Sequence, residues 1–239
     1  MQNKHNSIPT FKAVSSKPRL FLNIIFGIFW VFFVLFFLIG LLYVIMSSPQ
    51  DLGLNVIATV SLFFIFLIAL SGIVALLIYS RKKMSTTTII DERGIRYLNT
   101  FNKRVIKDLP WSSFAKREKP EDVFESTKYD VISTTPFKSF YDQFYWPVLI
   151  DNKVAIHNDA FLGRHFFVMF YANRLELIRT FLLGVAHYRP DITVDPIVFS
   201  NHYIDPKTYN IDYRQRNLIR ILAVLFCVLV LGLIYYFVE

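Results

Sequence analysis

One cysteine occurs in 239 residues, Cys227, so a disulfide within the chain and a cysteine-based zinc site are both excluded. H-E-x-x-H, the Walker loop and G-x-G-x-x-G are absent too, which removes the common spacings for zinc hydrolysis and nucleotide binding. Charge is missing in a patterned way. Three hydrophobic runs, Leu20–Met46, Leu54–Tyr79 and Leu222–Val238, contain no Asp, Glu, His, Lys or Arg. Transport paths usually place such groups inside the membrane, facing a cavity, so a channel or carrier is not expected. The polar residues inside the runs are Thr59, Ser61 and Ser71, with Asn23 and Asn55 near the ends. Groups of that kind satisfy helix backbone or a neighbouring helix. Ser71-x-x-x-Ala75, beside Gly72, is a candidate for close helix packing.

Each run reaches or approaches the roughly 20 apolar residues that a helix needs to cross a hydrocarbon core. The first greatly exceeds the apolar region of about 7–15 residues in a signal peptide. Three transmembrane helices are therefore expected. Lys4, Lys12, Lys17 and Arg19 precede the first run without an acid. Arg81, Lys82 and Lys83 follow the second, and Arg214, Arg216 and Arg220 lead into the third. The connector Ser47–Gly53 carries only Asp51. The positive-inside rule then makes residues 1–19 and 81–217 cytoplasmic, with the connector and the C-terminus outside. The chain divides into a cytoplasmic segment 1–19, a membrane hairpin 20–80, a cytoplasmic domain 81–189, an extended connector 190–217 and a third membrane helix 218–239.

This division also accounts for the net charge of +8. Residues 81–217 hold 21 basic and 16 acidic residues, a mixed and moderate excess. Juxtamembrane Lys and Arg are drawn to anionic headgroups at about 1 kcal/mol each, so the basicity calls for a membrane and not for nucleic acid.

The cytoplasmic block opens as short strands. Thr86–Asp91 and Gly94–Asn99 are rich in β-branched residues and flank a turn at Glu92-Arg93-Gly94; Arg104–Trp111 follows, limited by Pro110. After the charged loop Ala115–Asp130, strands are expected at Val131–Thr135, Phe144–Ile150, Lys153–Asn158 and His165–Ala172. Asp151-Asn152 suits a hairpin turn. Many short strands in sequence suggest a small antiparallel sandwich or barrel. Asn173 to Glu176 has capping-box spacing, and Leu175, Leu177, Ile178, Phe181, Leu182 and Val185 then form one helical face over that sandwich.

The hairpin, the strand–turn–strand IIDERGI (Ile89–Ile95), IKDLPWSSF (Ile106–Phe114) and a later amphipathic helix together resemble the bacterial PH-like membrane proteins of the YcxB type. The resemblance covers roughly residues 20–187. It departs from that pattern in the third span with its connector and in the long, charged Ala115–Asp130 stretch. It implies a PH-like barrel plugged by a C-terminal helix, placed at a bacterial inner membrane, with a binding habit and no particular ligand.

Chemistry is sparse. His157, Asp159 and His165 are the one set that could gather near a metal, but their spacing matches no ligand motif, and no metal, cofactor or catalytic set is expected. Two binding surfaces stand out. Arg81, Lys82 and Lys83, with Lys103, Arg104 and Lys107, are candidates for acidic lipid headgroups. Phe137, Phe140, Tyr141, Phe144, Tyr145 and Trp146 lie within ten residues that hold only two charges; where exposed, they would suit a protein partner. The resulting expectation is a non-enzymatic, membrane-anchored binding protein that meets a lipid or protein in the cytoplasm. An immunity protein against a toxin at the membrane is the alternative, and an enzyme on a membrane substrate comes third.

Overall fold

In the computed structural model, residues 8–117, 128–137, 139 and 141–238 are described. Among the described residues, three helices are long and apolar enough to cross a membrane: α1 (Leu20–Met46), α2 (Val56–Lys83) and, last in chain order, Tyr213–Val238. The first two pack together. Phe66 of α2 packs tightly on Gly40 of α1, where a Cβ would stand 2.6 Å from its ring. Gly72 meets nothing, and Ser71 and Ala75 are exposed, so the small-residue patch suggested by the sequence is not the contact. Asn55 caps α2 by accepting from Ala58 N at 2.7 Å.

Among the described residues, six of the expected strands and one not anticipated from the sequence, Val14–Ser15, form two antiparallel sheets. The first has four strands in the order β1 (Val14–Ser15), β2 (Thr87–Asp91), β3 (Gly94–Asn99) and β4 (Arg104–Pro110). The second has three, β5 (Ile132–Thr134), β6 (Gln143–Ile150) and β7 (Lys153–Asp159). Asp151 and Asn152 both take positive φ, 49° and 60°, in the two-residue loop joining β6 to β7, where Asp and Asn tolerate a left-handed backbone. Gly94 has φ +150° and no room for a side chain, as a Cβ would lie 2.1 Å from the Leu109 carbonyl oxygen of β4. Beyond β4 the chain crosses to the second sheet, where Phe114 bridges Val148 of β6. The charged loop expected at 115–130 lies, for residues 118–127, outside the described residues.

Helix α3 (Arg174–Tyr188) fills the space between the sheets. Phe181 is its centre, with ring centroids 4.8 Å from Trp146, 5.2 Å from Phe161 and 6.0 Å from Phe144. Such a side chain removed from water is worth about 1.5–3 kcal/mol. Trp111 stacks on Tyr188, donates its indole N–H to Asp91 O at 2.9 Å and lies flush on Gly184. The expected capping box does not form. Asn173 instead ties down the chain ahead of α1, accepting from Lys17 N at 2.7 Å and donating to Ser15 O at 2.9 Å.

Three more segments depart from expectation. His165–Ala172 is not a strand; it is an irregular shoulder docked on the start of α1. Asn23 accepts there from Met169 N and Phe170 N at 3.0 and 2.9 Å and donates to Phe170 O at 3.0 Å. Phe166 meets Trp30, and Phe170 meets Phe26, at 4.6 and 5.2 Å between centroids. Its aromatics thus serve a helix face, which needs no strand alternation. The stretch at 190–217 carries a short helix, α4 (Pro196–Asn201), and puts Ile192, Val198, Phe199 and Ile204 into the core. The last long helix, α5 (Tyr213–Val238), starts five residues before Leu218 and is exposed along its apolar length. The segment before α1 contributes β1, which pairs with β2 beyond α2. If α1 and α2 cross a bilayer, they therefore do so as a hairpin with both flanks on one side.

Candidate functional site

The end of α2 meets the first sheet through asparagines. Asn99 donates to Arg81 O at 2.9 Å and Met84 O at 2.7 Å, and Asn102 donates to Lys82 O at 2.9 Å. These bonds satisfy carbonyls that a helix C-terminus leaves open. They also fix the β3–β4 turn, with exposed Lys103 and Arg104, against exposed Arg81, Lys82 and Lys83. Three cations in the last turn suit the negative end of the helix dipole. Five of the six expected headgroup residues therefore gather at one end of α2.

Lys107, the sixth, turns inward. It lines a pocket of about 310 Å³ bounded by Tyr79, Lys83, Tyr97, Ile106, His157 and Arg164, among others. Four side chains run from this pocket into the domain. Lys107 Nζ lies 2.8 Å from His157 Nδ1, His157 Nε2 lies 3.3 Å from the Tyr97 hydroxyl, and Tyr97 donates to Asp159 Oδ2 at 2.6 Å. An ammonium can only donate, so His157 accepts at Nδ1 and carries its proton on Nε2. Every group in the row then has a partner: ammonium, neutral imidazole, phenol, carboxylate. Asp159 Oδ1 takes a further bond from Phe161 N at 3.1 Å.

The electrostatics follow from burial. Burial first, then the charges of Lys107 and Arg164, pushes the His157 pKa down to about 3. Burial raises Asp159, and burial with the Asp159 charge raises Tyr97 well above the usual phenol range. Lys107 is held below the ordinary lysine value by burial and then by Arg164, with Asp159 pulling the other way. Arg164 itself is exposed, sits 5.9 Å from the Tyr97 ring centroid and donates to Asn158 O at 3.1 Å. Sequence reasoning missed Arg164. Its one signal was a cation between the two histidines already singled out.

The structure separates the candidate metal set. His157 and Asp159 both meet Tyr97, whereas the His165 ring lies tilted against Phe101, 4.7 Å between centroids, and accepts from Phe167 N. Among the described residues no three His, Cys, Asp or Glu side chains come together.

The aromatic set divides as well. Phe144 and Trp146 are buried between sheets and helix, so they are core and offer no contact surface. Tyr145 is half-buried, and Phe140 lies outside the described residues. Phe137 is fully exposed, and exposed Tyr141 lies 6.3 Å from Phe170 and 5.5 Å from the Arg174 guanidinium. A larger apolar groove of about 590 Å³ runs along α1 from Leu20 to Leu35 against Phe167 and Val168. Its one side-chain amide, Asn23, is already engaged with the shoulder, so no polar group is free to orient a ligand.

Comparison with protein-family models, with curated proteins and with solved structures finds no match to this chain.

Proposed function

We propose that this is a non-enzymatic binding protein of a bacterial inner membrane, with a PH-like domain held on the cytoplasmic face as a regulator or scaffold. The observation that carries the reading is the attachment of the domain. It is bonded to the start of α1 through Asn23 and to the end of α2 through Asn99 and Asn102, with no free linker between. A domain so fixed presents the same face to the headgroup layer at all times. Two sheets with a core helix, and the basic collar at the end of α2, support the PH-like and cytoplasmic parts of the reading. The exposed Phe137 leaves room for a protein partner beside a lipid one.

Thiol labelling tests the placement. In a Cys227→Ser background, Ser48→Cys should react with a membrane-impermeant reagent added outside intact cells. Lys153→Cys, at the exposed start of β7, should react only after permeabilisation. Labelling of Lys153→Cys in intact cells would overturn the cytoplasmic domain. Binding is tested by identifying lipids and proteins that co-purify with the solubilised full chain; the reading requires one of them at near-stoichiometric amount.

A further inference from the structure

The pocket at the end of α2 gathers three cations and has no acidic side chain among its described lining residues. Lys83, Lys107 and Arg164 reach it from three separate parts of the chain: the last turn of α2, the middle of β4 and the loop after β7. None of the three forms a salt bridge with another described residue; the ion pairs among the described residues are Arg96–Asp91, Arg189–Asp191 and His202–Asp142. Asp159 is the nearest compensation, but it is buried behind Tyr97, and its oxygens are taken by the Tyr97 hydroxyl and Phe161 N. Uncompensated cations brought together raise the energy of the empty site, and one anion between them relieves it. Burial first, and the Arg164 charge second, hold the Lys107 pKa below the ordinary lysine value.

The position of the pocket narrows the anion. Tyr79 and Lys83 on its wall belong to the last turns of an apolar helix, so the pocket opens at the depth where a spanning α2 leaves the hydrocarbon. Aromatic rings and basic side chains concentrate at that boundary. A volume of about 310 Å³ is small among ligand sites, which run from roughly 300 to 1,000 Å³, and it fits a headgroup better than a whole lipid. The walls offer donors. Arg164 supplies a planar guanidinium suited to paired oxygens, and Lys83 and Lys107 supply point charges, the combination that phosphate recognition uses. His157 supports the site and does not touch the ligand in this scheme. By accepting from Lys107 it holds the ammonium at the pocket wall, and its neutral ring adds no fourth charge.

We propose that this pocket binds a phosphate group, with Arg164, Lys107 and Lys83 as its counter-charges, and its position at the end of α2 points to an anionic lipid headgroup as the carrier. The proposal rests on the reading of a membrane-held domain and names the ligand chemistry of that domain.

The test uses the full chain in maltoside micelles, titrated with short-chain phosphatidic acid, phosphatidylglycerol and phosphatidylcholine, and with inorganic phosphate. Saturable binding of the two anionic lipids, with phosphatidylcholine weaker by about tenfold or more, is expected. Arg164→Gln and Lys107→Gln should each weaken phosphatidic acid binding by at least about tenfold, since each removes a charged partner. Lys107→Gln keeps a donor for His157, and Arg164 is exposed, so both chains should fold; unchanged Trp fluorescence checks this. Lys153→Gln, at the exposed start of β7 and outside the pocket lining, should bind as the unsubstituted chain does. If inorganic phosphate binds as tightly as phosphatidic acid, the phosphate site stands and its carrier is a soluble compound. Anionic lipid binding that neither variant weakens overturns the pocket, as does the absence of binding by every anionic probe. Thiol labelling would be unaffected by either result, so failure of the pocket and failure of the membrane placement are read apart.

Discussion

His157 should make the domain sensitive to acid in a way that can be isolated. Its ring is buried among Lys107, Arg164, Tyr97 and the Trp146 indole, with its pKa lowered to about 3. In the unfolded chain the imidazole titrates near 6.5. Between those values the unfolded state binds a proton that the folded state refuses. Stability from this group is therefore complete above about pH 6.5 and is lost as pH falls towards 3. At about pH 5 the loss is about 2 kcal/mol, from some 1.5 pH units at roughly 1.36 kcal/mol each. The figure is insensitive to the folded pKa so long as that lies well below 5. Asp159 works in the opposite direction: its raised pKa means that protonation favours the folded state as acid is added. His202, lowered to about 4, adds to the loss. The total acid slope is therefore a mixture, and the difference from a variant is the useful quantity. Gln at 157 can accept from Lys107 and donate to Tyr97 without titrating. Urea unfolding of the full chain in micelles, followed by Trp fluorescence, gives the free energies. The gap between the native chain and His157→Gln should shrink by about 2 kcal/mol on going from about pH 7.5 to about pH 5. An unchanged gap, or an NMR titration of His157 centred near 6.5, refutes the argument.

Two further substitutions probe how the parts are joined. Asn23→Ala leaves the Met169 and Phe170 amides without their partner, at about 1–3 kcal/mol for each buried group orphaned. Hydrogen exchange should rise across 166–171 while β6 and β7 stay protected, and uniform exchange would show that the shoulder is held by other means. Gly184→Ala would push a methyl group to 2.3 Å from the Trp111 ring. A cost of about 1–3 kcal/mol from overpacking should appear as a lower Tm, and an unchanged Tm would mean that Trp111 can shift freely.

Much of the domain was legible because its signals are local. β3 spans the residues expected from alternation and turn chemistry, and β2, β4, β6 and β7 differ from expectation by a residue or so at their ends. The apolar face of α3 was visible in its spacing, and Leu177, Ile178, Phe181, Leu182 and Val185 are all buried. The failures are contacts between distant parts of the chain. His165–Ala172 has the composition of a strand, but its partner is α1, about 146 residues away in sequence at the Asn23–Met169 bond. Asn173 has capping spacing, yet Lys17 and Ser15 claim its side chain. α4 did carry a local mark, Asp195 accepting from Ile197 N with Pro196 at the first position. At the site, the basic residues were visible as a cluster of charge. The row from Lys107 to Asp159 was not, because it joins β4, β7 and β3, whose register is settled only by folding.

The pairing of β1 with β2 also has a consequence for synthesis. β1 leaves the ribosome before α1, while the strand it covers emerges only after α2. If α1 and α2 span a bilayer, the first sheet stays incomplete until the hairpin has been inserted and the chain has returned to the side it left. Insertion of only one of the two helices would leave β1 and β2 on opposite faces of the bilayer. β2 would then keep a bare edge, the feature that invites pairing with other chains and removal by quality control. In a membrane-spanning chain, the same short ladder would tie completion of the sheet to insertion of both helices.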